Sequence, residues 1–212
     1  MSSFADIAAK ILSVVFYPLF VPTYGIALFC YAYAHHVAYM PVIWTVIAIA
    51  GTFVMTCLLP ISAIWILMRR GVVKDMQIDN PRERTLPYLY TILGFGFWAY
   101  LLIAILHVPL YIGLVSVGGT VAISLVSIIN RWWKISAHLT GFGGLVGGLL
   151  SYCIGIGAIP TWSALSWWLG VSLLIMFARL RLNAHTSAQV CAGWLLGMAC
   201  TFLPYYIASY GA

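Results

Sequence analysis

Two stretches of this 212-residue chain place a histidine close behind cations at the start of an apolar run. The first reads Ala178-Arg179-Leu180-Arg181-Leu182-Asn183-Ala184-His185-Thr186-Ser187-Ala188-Gln189. Arg179 ends one apolar run, His185 follows six residues later, and Gln189 stands four residues beyond it. Asn183 is a favoured N-cap type, which predicts a helix with His185 in its first turn. On such a helix Gln189 lies one turn along the same face, within reach of the imidazole. The chemistry this spacing serves is nucleophilic: one ring nitrogen is held, which sets the tautomer, and the other is left to attack. A helix N-terminus favours the neutral ring and attracts phosphate, and Arg179 offers a planar fork of donors to its oxygens. Without chemistry, the same residues read as an interfacial histidine beside two anchoring arginines.

The other stretch reads Arg131-Trp132-Trp133-Lys134-Ile135-Ser136-Ala137-His138. Ser136 is placed to cap the next helix, with His138 in its first turn. Two histidines therefore open two helices; one can attack phosphorus while the other protonates the leaving oxygen. Trp132 and Trp133 fit an interfacial aromatic belt. A third cluster, from Arg69 to Pro87, carries both signs of charge. Arg69 and Arg70 read as anchors at a helix end, while Lys74, Arg82 and Arg84 are candidates to clamp phosphate. Asp75, Asp79 and Glu83 read as ion-pair partners of those cations rather than as metal ligands.

These residues meet only if the intervening elements return the chain to one side of a membrane. Charge occurs in four places: Asp6 to Lys10, Arg69 to Arg84, Arg131 to Lys134 and Arg179 to Arg181. The uncharged runs are 11–68, 85–130, 135–178 and 182–212. A spanning helix needs about 20 apolar residues, so the first three runs each hold a hairpin of helices and the last holds one. Turns fall at His35, His36 and Pro41, at His107 to Pro109, and at Gly157 to Pro160. The spacing predicts seven helices near 11–33, 42–67, 87–106, 109–129, 138–157, 163–180 and 185–208, with six as the alternative count. Pro18 and Pro22 kink the first or make its start interfacial. Each hairpin returns the chain to the side it left, so all four charged clusters share one face. Gly144 and Gly148 form a Gly-x-x-x-Gly pair that marks close packing inside the bundle.

The composition, 64% hydrophobic and 7% charged, excludes a soluble domain, which carries about 25% charged residues. Residues 1–212 read as a single all-α integral membrane domain, expected in a bacterial inner (cytoplasmic) membrane and compatible with a homo-oligomer. Ten Lys and Arg against four acids give a net charge of +6, which suits anionic headgroups or phosphate. No nucleic-acid partner is expected, since no soluble domain presents the charge. The five cysteines sit in apolar runs without a Cys-x-x-Cys pair, which excludes disulfide and zinc frameworks. The first apolar run has no cleavage-site pattern of a signal peptide and leads into more membrane sequence.

With these residues the sequence resembles the type 2 phosphatidic acid phosphatase family, membrane enzymes related to the vanadium haloperoxidases. That family carries Lys-x6-Arg-Pro, Pro-Ser-Gly-His and Ser-Arg-x5-His-x3-Asp. The third motif is matched by Arg179 and His185, with Gln189 where Asp is expected; the second is matched in part by Ile135-Ser136-Ala137-His138. The first is degenerate: seven residues rather than six separate Lys74 from Arg82, and Gln77 takes the lysine position before Arg84. The resemblance implies hydrolysis of a phosphate monoester or pyrophosphate on a membrane lipid, either a phospholipid or an isoprenyl phosphate. It implies a phosphohistidine on His185 and His138 as general acid. Arg179, Arg84, Arg82, Lys74 and Ser136 would hold phosphate, Gln189 would orient the nucleophile, and no metal or other cofactor would be needed. It also implies an extracytoplasmic site, whereas the positive-inside rule puts the charged face in the cytoplasm. Gln189 brings no negative charge, and Ala137 adds a methyl where backbone should approach phosphate. The alternative expectation is therefore a weak or inactive relative that binds anionic headgroups. An aromatic prenyltransferase, holding diphosphate through magnesium on two Asp-rich loops, fits less well because this chain has one acidic loop.

Overall fold

The computed structural model describes residues 3–74, 83, 85–156 and 159–210. Their regular structure is helical: α1 (Phe4–Val15), α2 (Val21–His36), α3 (Val42–Arg69), α4 (Thr85–Ile105), α5 (Leu110–Ile129), α6 (Ala137–Ile156), α7 (Ile159–Arg181) and α8 (Ser187–Tyr210). Six of these, α3 to α8, are long and apolar enough to cross a membrane. This is an all-α membrane protein, and those six helices lie within a few residues of the expected spans.

The expected first span, 11–33, is broken. Helix α1 ends at Val15 and α2 begins at Val21, because Pro18 cannot donate to the Val14 carbonyl and Pro22, which lacks an amide proton, suits the first turn of a new helix. Both pieces nevertheless run the same way. Asp6 and Ser3, at the start of α1, bind Arg181 at the end of α7. At the other end of α1, Phe16 packs its ring edge-on to Trp168 at 6.5 Å, roughly 20 Å up α7 at 1.5 Å per residue. Helix α2 then follows α6: Gly25 faces Leu145, and Phe29 faces Gly148 and Tyr152. Together α1 and α2 cover the depth of one discontinuous crossing, with Phe4, Ile7, Ile11 and Val14 forming an exposed apolar stripe on α1.

A break inside a bilayer leaves carbonyls that no water can satisfy. Here side chains from elsewhere reach them. The His138 ring donates to the Ser13 carbonyl at 3.2 Å and the Tyr24 hydroxyl to that of Val15 at 3.1 Å. The Thr56 hydroxyl, bonded to the Thr52 carbonyl at 2.8 Å, shares its proton with the Leu19 carbonyl at 3.4 Å. Helix α3 contains a π segment, Val54–Leu58, just ahead of Pro60; the wider turn relieves the clash a proline ring makes with the preceding turn. The Trp98 indole donates to the Thr52 hydroxyl at 2.8 Å, joining α4 to α3. His107, at φ 48°, ends the second hairpin's first arm in left-handed backbone.

The tightest contact in the bundle is between α6 and α8, which lie parallel. Gly143 and Gly147 of α6 press on the Trp194 and Met198 carbonyls of α8. Gly193 and Gly197 of α8 press on the Ser136 and Thr140 carbonyls of α6. The Thr201 hydroxyl bridges the pair by donating to the Gly144 carbonyl at 2.8 Å. The Gly-x-x-x-Gly pair singled out in the sequence serves other neighbours too: Gly144 faces Thr201, and Gly148 takes the Phe29 ring and Val115.

The charged clusters come to one face. The Ser136 amide donates to the Gln189 carbonyl at 3.3 Å, tying the α5–α6 loop to the start of α8. Asn130, at the end of α5, donates to Tyr88 in the first turn of α4 at 3.0 Å.

Gly197→Leu will force α6 and α8 apart, because its side chain would occupy the space of the Thr140 carbonyl. Thermal unfolding in detergent should show a loss of about 1–3 kcal/mol or more, the usual cost of overpacking. Gly170→Leu, where an added Cβ meets nothing, should stay within about 0.5 kcal/mol. Equal losses at the two positions would contradict the packing described.

Candidate functional site: two histidines at paired helix starts

The first histidine is placed by the start of α6. The Ser136 hydroxyl accepts from the Leu139 amide at 3.5 Å and the Ser136 carbonyl takes the first helical bond, from Thr140, at 3.0 Å. Ser136 is the cap the sequence suggested, with His138 in the first turn. Its side chain is fully buried, which directs the hydroxyl to capping rather than to phosphate. His138 is itself 8% exposed. Its Nε2 lies 3.2 Å from the Ser13 carbonyl, an oxygen that can only accept, so this nitrogen carries a proton and Nδ1 carries the lone pair of the neutral ring. Tyr17 packs edge-on against the imidazole at 5.8 Å.

The second histidine is placed differently from the sequence expectation. Asn183 does not cap α8. It has φ 50° and ends α7, with its own amide bonded to the Leu180 carbonyl and that of Ala184 to the Arg179 carbonyl. This is a Schellman closure, and asparagine is the side chain after glycine that best accepts left-handed backbone. The cap of α8 is Thr186. Its hydroxyl accepts from the Gln189 amide at 3.4 Å, while Gln189 Oε1 accepts from the Thr186 amide at 3.1 Å, a reciprocal capping box. His185 therefore sits one residue ahead of the cap rather than in the first turn.

Gln189 reaches the imidazole as expected, with Oε1 at 3.2 Å from His185 Nδ1. The Lys134 carbonyl stands 3.3 Å from the same nitrogen. The Thr186 amide fixes the Gln189 side chain with its oxygen toward the ring, and a carbonyl can only accept. Both neighbours of Nδ1 are thus acceptors, so Nδ1 bears the proton and Nε2 bears the lone pair. The half-buried ring is pushed below the ordinary histidine pKa, first by desolvation and then by the Arg179 charge. At neutral pH it is an uncharged imidazole with one available nitrogen.

Arg179, in the last turn of α7, stands close enough to His138, His185 and Tyr17 for its charge to act on all three. The structure therefore brings Arg179, His138, His185 and Gln189 to one region, where Ser136 caps the helix of His138 and bonds the Gln189 carbonyl. Lys74 is exposed and its amide donates to the Glu83 carboxylate at 3.0 Å; the lysine whose charge acts on His185 is Lys134. Arg82 and Arg84, with Asp75 and Asp79, lie outside the described residues. Arg181 donates to Asp6 at 2.9 Å, and the Asp6 carboxyl is held below its usual range by the Ser3 amide and then by Arg181. Among the described residues no three His, Cys, Asp or Glu side chains come together as a metal site.

Sequence reasoning missed the carbonyls of Ser13 and Lys134 and the ring of Tyr17. Backbone acceptors leave no residue signature; only Pro18 hinted that carbonyls of α1 would be released.

No family model, no curated protein and no solved structure matches this chain.

Gln189→Glu keeps the length the capping box needs and adds a negative charge at Nδ1–H, so an NMR titration should show the His185 pKa rising. Gln189→Ala should cost about 1 kcal/mol of stability, the usual loss of a cap interaction. An unchanged titration in the glutamate variant would mean that the side chain does not touch the ring.

Proposed function

We propose that the protein hydrolyses a phosphate monoester or diphosphate on a membrane lipid through a phosphohistidine on His185, in a bacterial inner membrane. The observation that carries this reading is the anchoring of His185 Nδ1 by two acceptors, Gln189 Oε1 and the Lys134 carbonyl, with Arg179 close enough to act on the ring. The partial match to the phosphatase motifs supports the same roles.

In the first step the Nε2 lone pair attacks phosphorus and the phosphorus–oxygen bond to the lipid breaks. The departing oxygen takes a proton from water or from the phosphate monoanion itself, and a phosphorylated imidazole remains. In the second step water attacks that phosphorus, releases inorganic phosphate and restores the ring. Arg179 contributes bidentate donors to the phosphoryl oxygens, which gain charge in the transition state. Because Gln189 is neutral, the positive charge formed on His185 is stabilised by the carbonyl dipoles of Lys134 and Gln189 alone. Turnover is accordingly slow compared with an enzyme bearing a carboxylate there. His138 can serve as the acid only with a second proton on Nδ1, since Nε2–H is engaged by the Ser13 carbonyl.

That engagement favours a second reading, in which Arg179 and the histidines bind an anionic headgroup without turning it over. The two readings separate in one assay. Purified protein with hexadecyl phosphate or an isoprenyl diphosphate should release phosphate, and His185→Ala should abolish it. Arg179→Ala should lower kcat/KM by about 10²-fold or more, as expected for a donor to transition-state charge. An alkaline denaturing quench should trap a base-stable, acid-labile phosphoryl group on wild type alone. Binding without release, and without trapped phosphate, would leave the headgroup-binding reading.

The acid limb of kcat/KM should lie below pH ~6.5, because the His185 pKa is lowered and the attacking form is the neutral ring. A limb above that value would exclude His185 as the titrating nucleophile.

A further inference from the structure

An apolar cavity of about 120 Å³ lies inside the bundle between α2, α3, α4, α5, α6 and α8. We infer that it holds a single hydrocarbon chain of the lipid whose phosphate reaches His185; this rests on the proposed function and names the form of its substrate. The cavity is elongated along the helix axes. It follows α6 from Ala137 to Leu145 and α5 from Val115 to Val126, about 12 Å and 16 Å at 1.5 Å per residue. One end stands at Ala137, next in sequence to His138; the other reaches Phe29 in mid-bundle.

Among the described residues no charged side chain lines the cavity, and its five hydroxyls belong to Thr52, Thr56, Ser116, Thr140 and Thr201. Every one of these donates to a carbonyl inside the bundle. Thr52 bonds Ala48 at 2.6 Å, Thr56 bonds Thr52 at 2.8 Å, Ser116 bonds Ile112 at 3.0 Å, Thr140 bonds Ser136 at 2.9 Å and Thr201 bonds Gly144 at 2.8 Å. No hydroxyl proton is left for a headgroup or an ordered water, which needs two to four polar partners. Such a space takes hydrocarbon.

The wall at its charged end is the turn between α1 and α2. Pro18 and Leu19 line the cavity, while Tyr17 packs on His138. A lipid lying along this wall has its chain on the Leu19 side and its phosphate on the Tyr17 side, facing the histidines. The narrow apolar slot accepts one chain, which favours a single-chain phosphate, such as an isoprenyl or alkyl phosphate, over a diacyl phospholipid.

Gly119 lines the cavity, and an added Cβ there meets no atom within 4 Å. Gly119→Phe therefore adds bulk at the cavity wall from a Cβ that clears its neighbours. Wild type and variant are reconstituted in nanodiscs and irradiated with hexadecyl phosphate carrying a mid-chain diazirine. Peptide mapping should place the label on cavity residues such as Ser116 or Ile123. In Gly119→Phe that label should fall about tenfold, the loss of chain contact worth roughly 1.4 kcal/mol. Ala122→Leu, from the same wall, serves if the phenylalanine variant does not fold. Label confined to outward residues such as Leu174 and Phe177, or equal labelling in all variants, would overturn the assignment. This readout does not need turnover, so it stands or falls apart from the phosphatase chemistry. Where turnover is present, Gly119→Phe should raise KM for hexadecyl phosphate about tenfold, by the same loss of chain contact, and leave 4-nitrophenyl phosphate unaffected. Matching losses on both substrates would also count against the cavity.

Discussion

The site depends on one contact: the backbones of α6 and α8 touching through glycine. Lipid chains are as apolar as leucine, so helices in a bilayer gain little from burying hydrocarbon and associate through close packing and polar bridges. Gly143, Gly147, Gly193 and Gly197 let each helix rest on the other's carbonyls, and Thr201 adds a hydrogen bond across the seam. Because the two helices are parallel, both begin on the same side, with Gly193 in the second turn of α8 against Ser136 at the cap of α6. That register, rather than proximity in sequence, brings His138 and His185 to the same end of the pair. It also lets the Lys134 carbonyl, from the loop before α6, hold the ring ahead of α8.

A second constraint follows from the absence of water in a membrane interior. The break between α1 and α2 releases carbonyls: those of Val14, Tyr17 and Pro18 accept from amides of the turn itself, and those of Ser13, Val15 and Leu19 from side chains of other elements. His138 is one of those donors. The imidazole that chemistry would use as an acid is therefore also a structural clamp on α1. The two demands compete for the same nitrogen, which is why turnover and simple headgroup binding make different claims on this ring.

The sequence revealed the six long spans because charge-free runs count helices directly when loops are short. Shared sidedness followed by parity, and the ties between Ser136 and Gln189 and between Asn130 and Tyr88 agree with it. The first span was misread because hydropathy is blind to backbone. Positions 11–33 are apolar throughout, and only Pro18 and Pro22 recorded the break. Around His185 two good cap residues competed. Asn183 and Thr186 both suit an N-cap, but Asn183 also tolerates left-handed backbone and was taken by the end of α7. Thr186-x-x-Gln189 is a readable capping box; assigning Gln189 only to the imidazole hid it. The contact between Gln189 and His185 was legible from spacing. The Ser13 and Lys134 carbonyls were not, since every residue owns one.

The partners of α1 lie far down the chain. Asp6 and Ser3 bind Arg181, 175 and 178 residues away, and Ser13 accepts from His138, 125 residues away. A ribosome delivers α1 early, yet apart from Tyr24 of α2 the partners named for it emerge only with α6 and α7. Local contacts form early and distant ones late. The twelve residues of α1 therefore dock on α6 and α7 only after most of the chain has been made, with α8 still to close against α6.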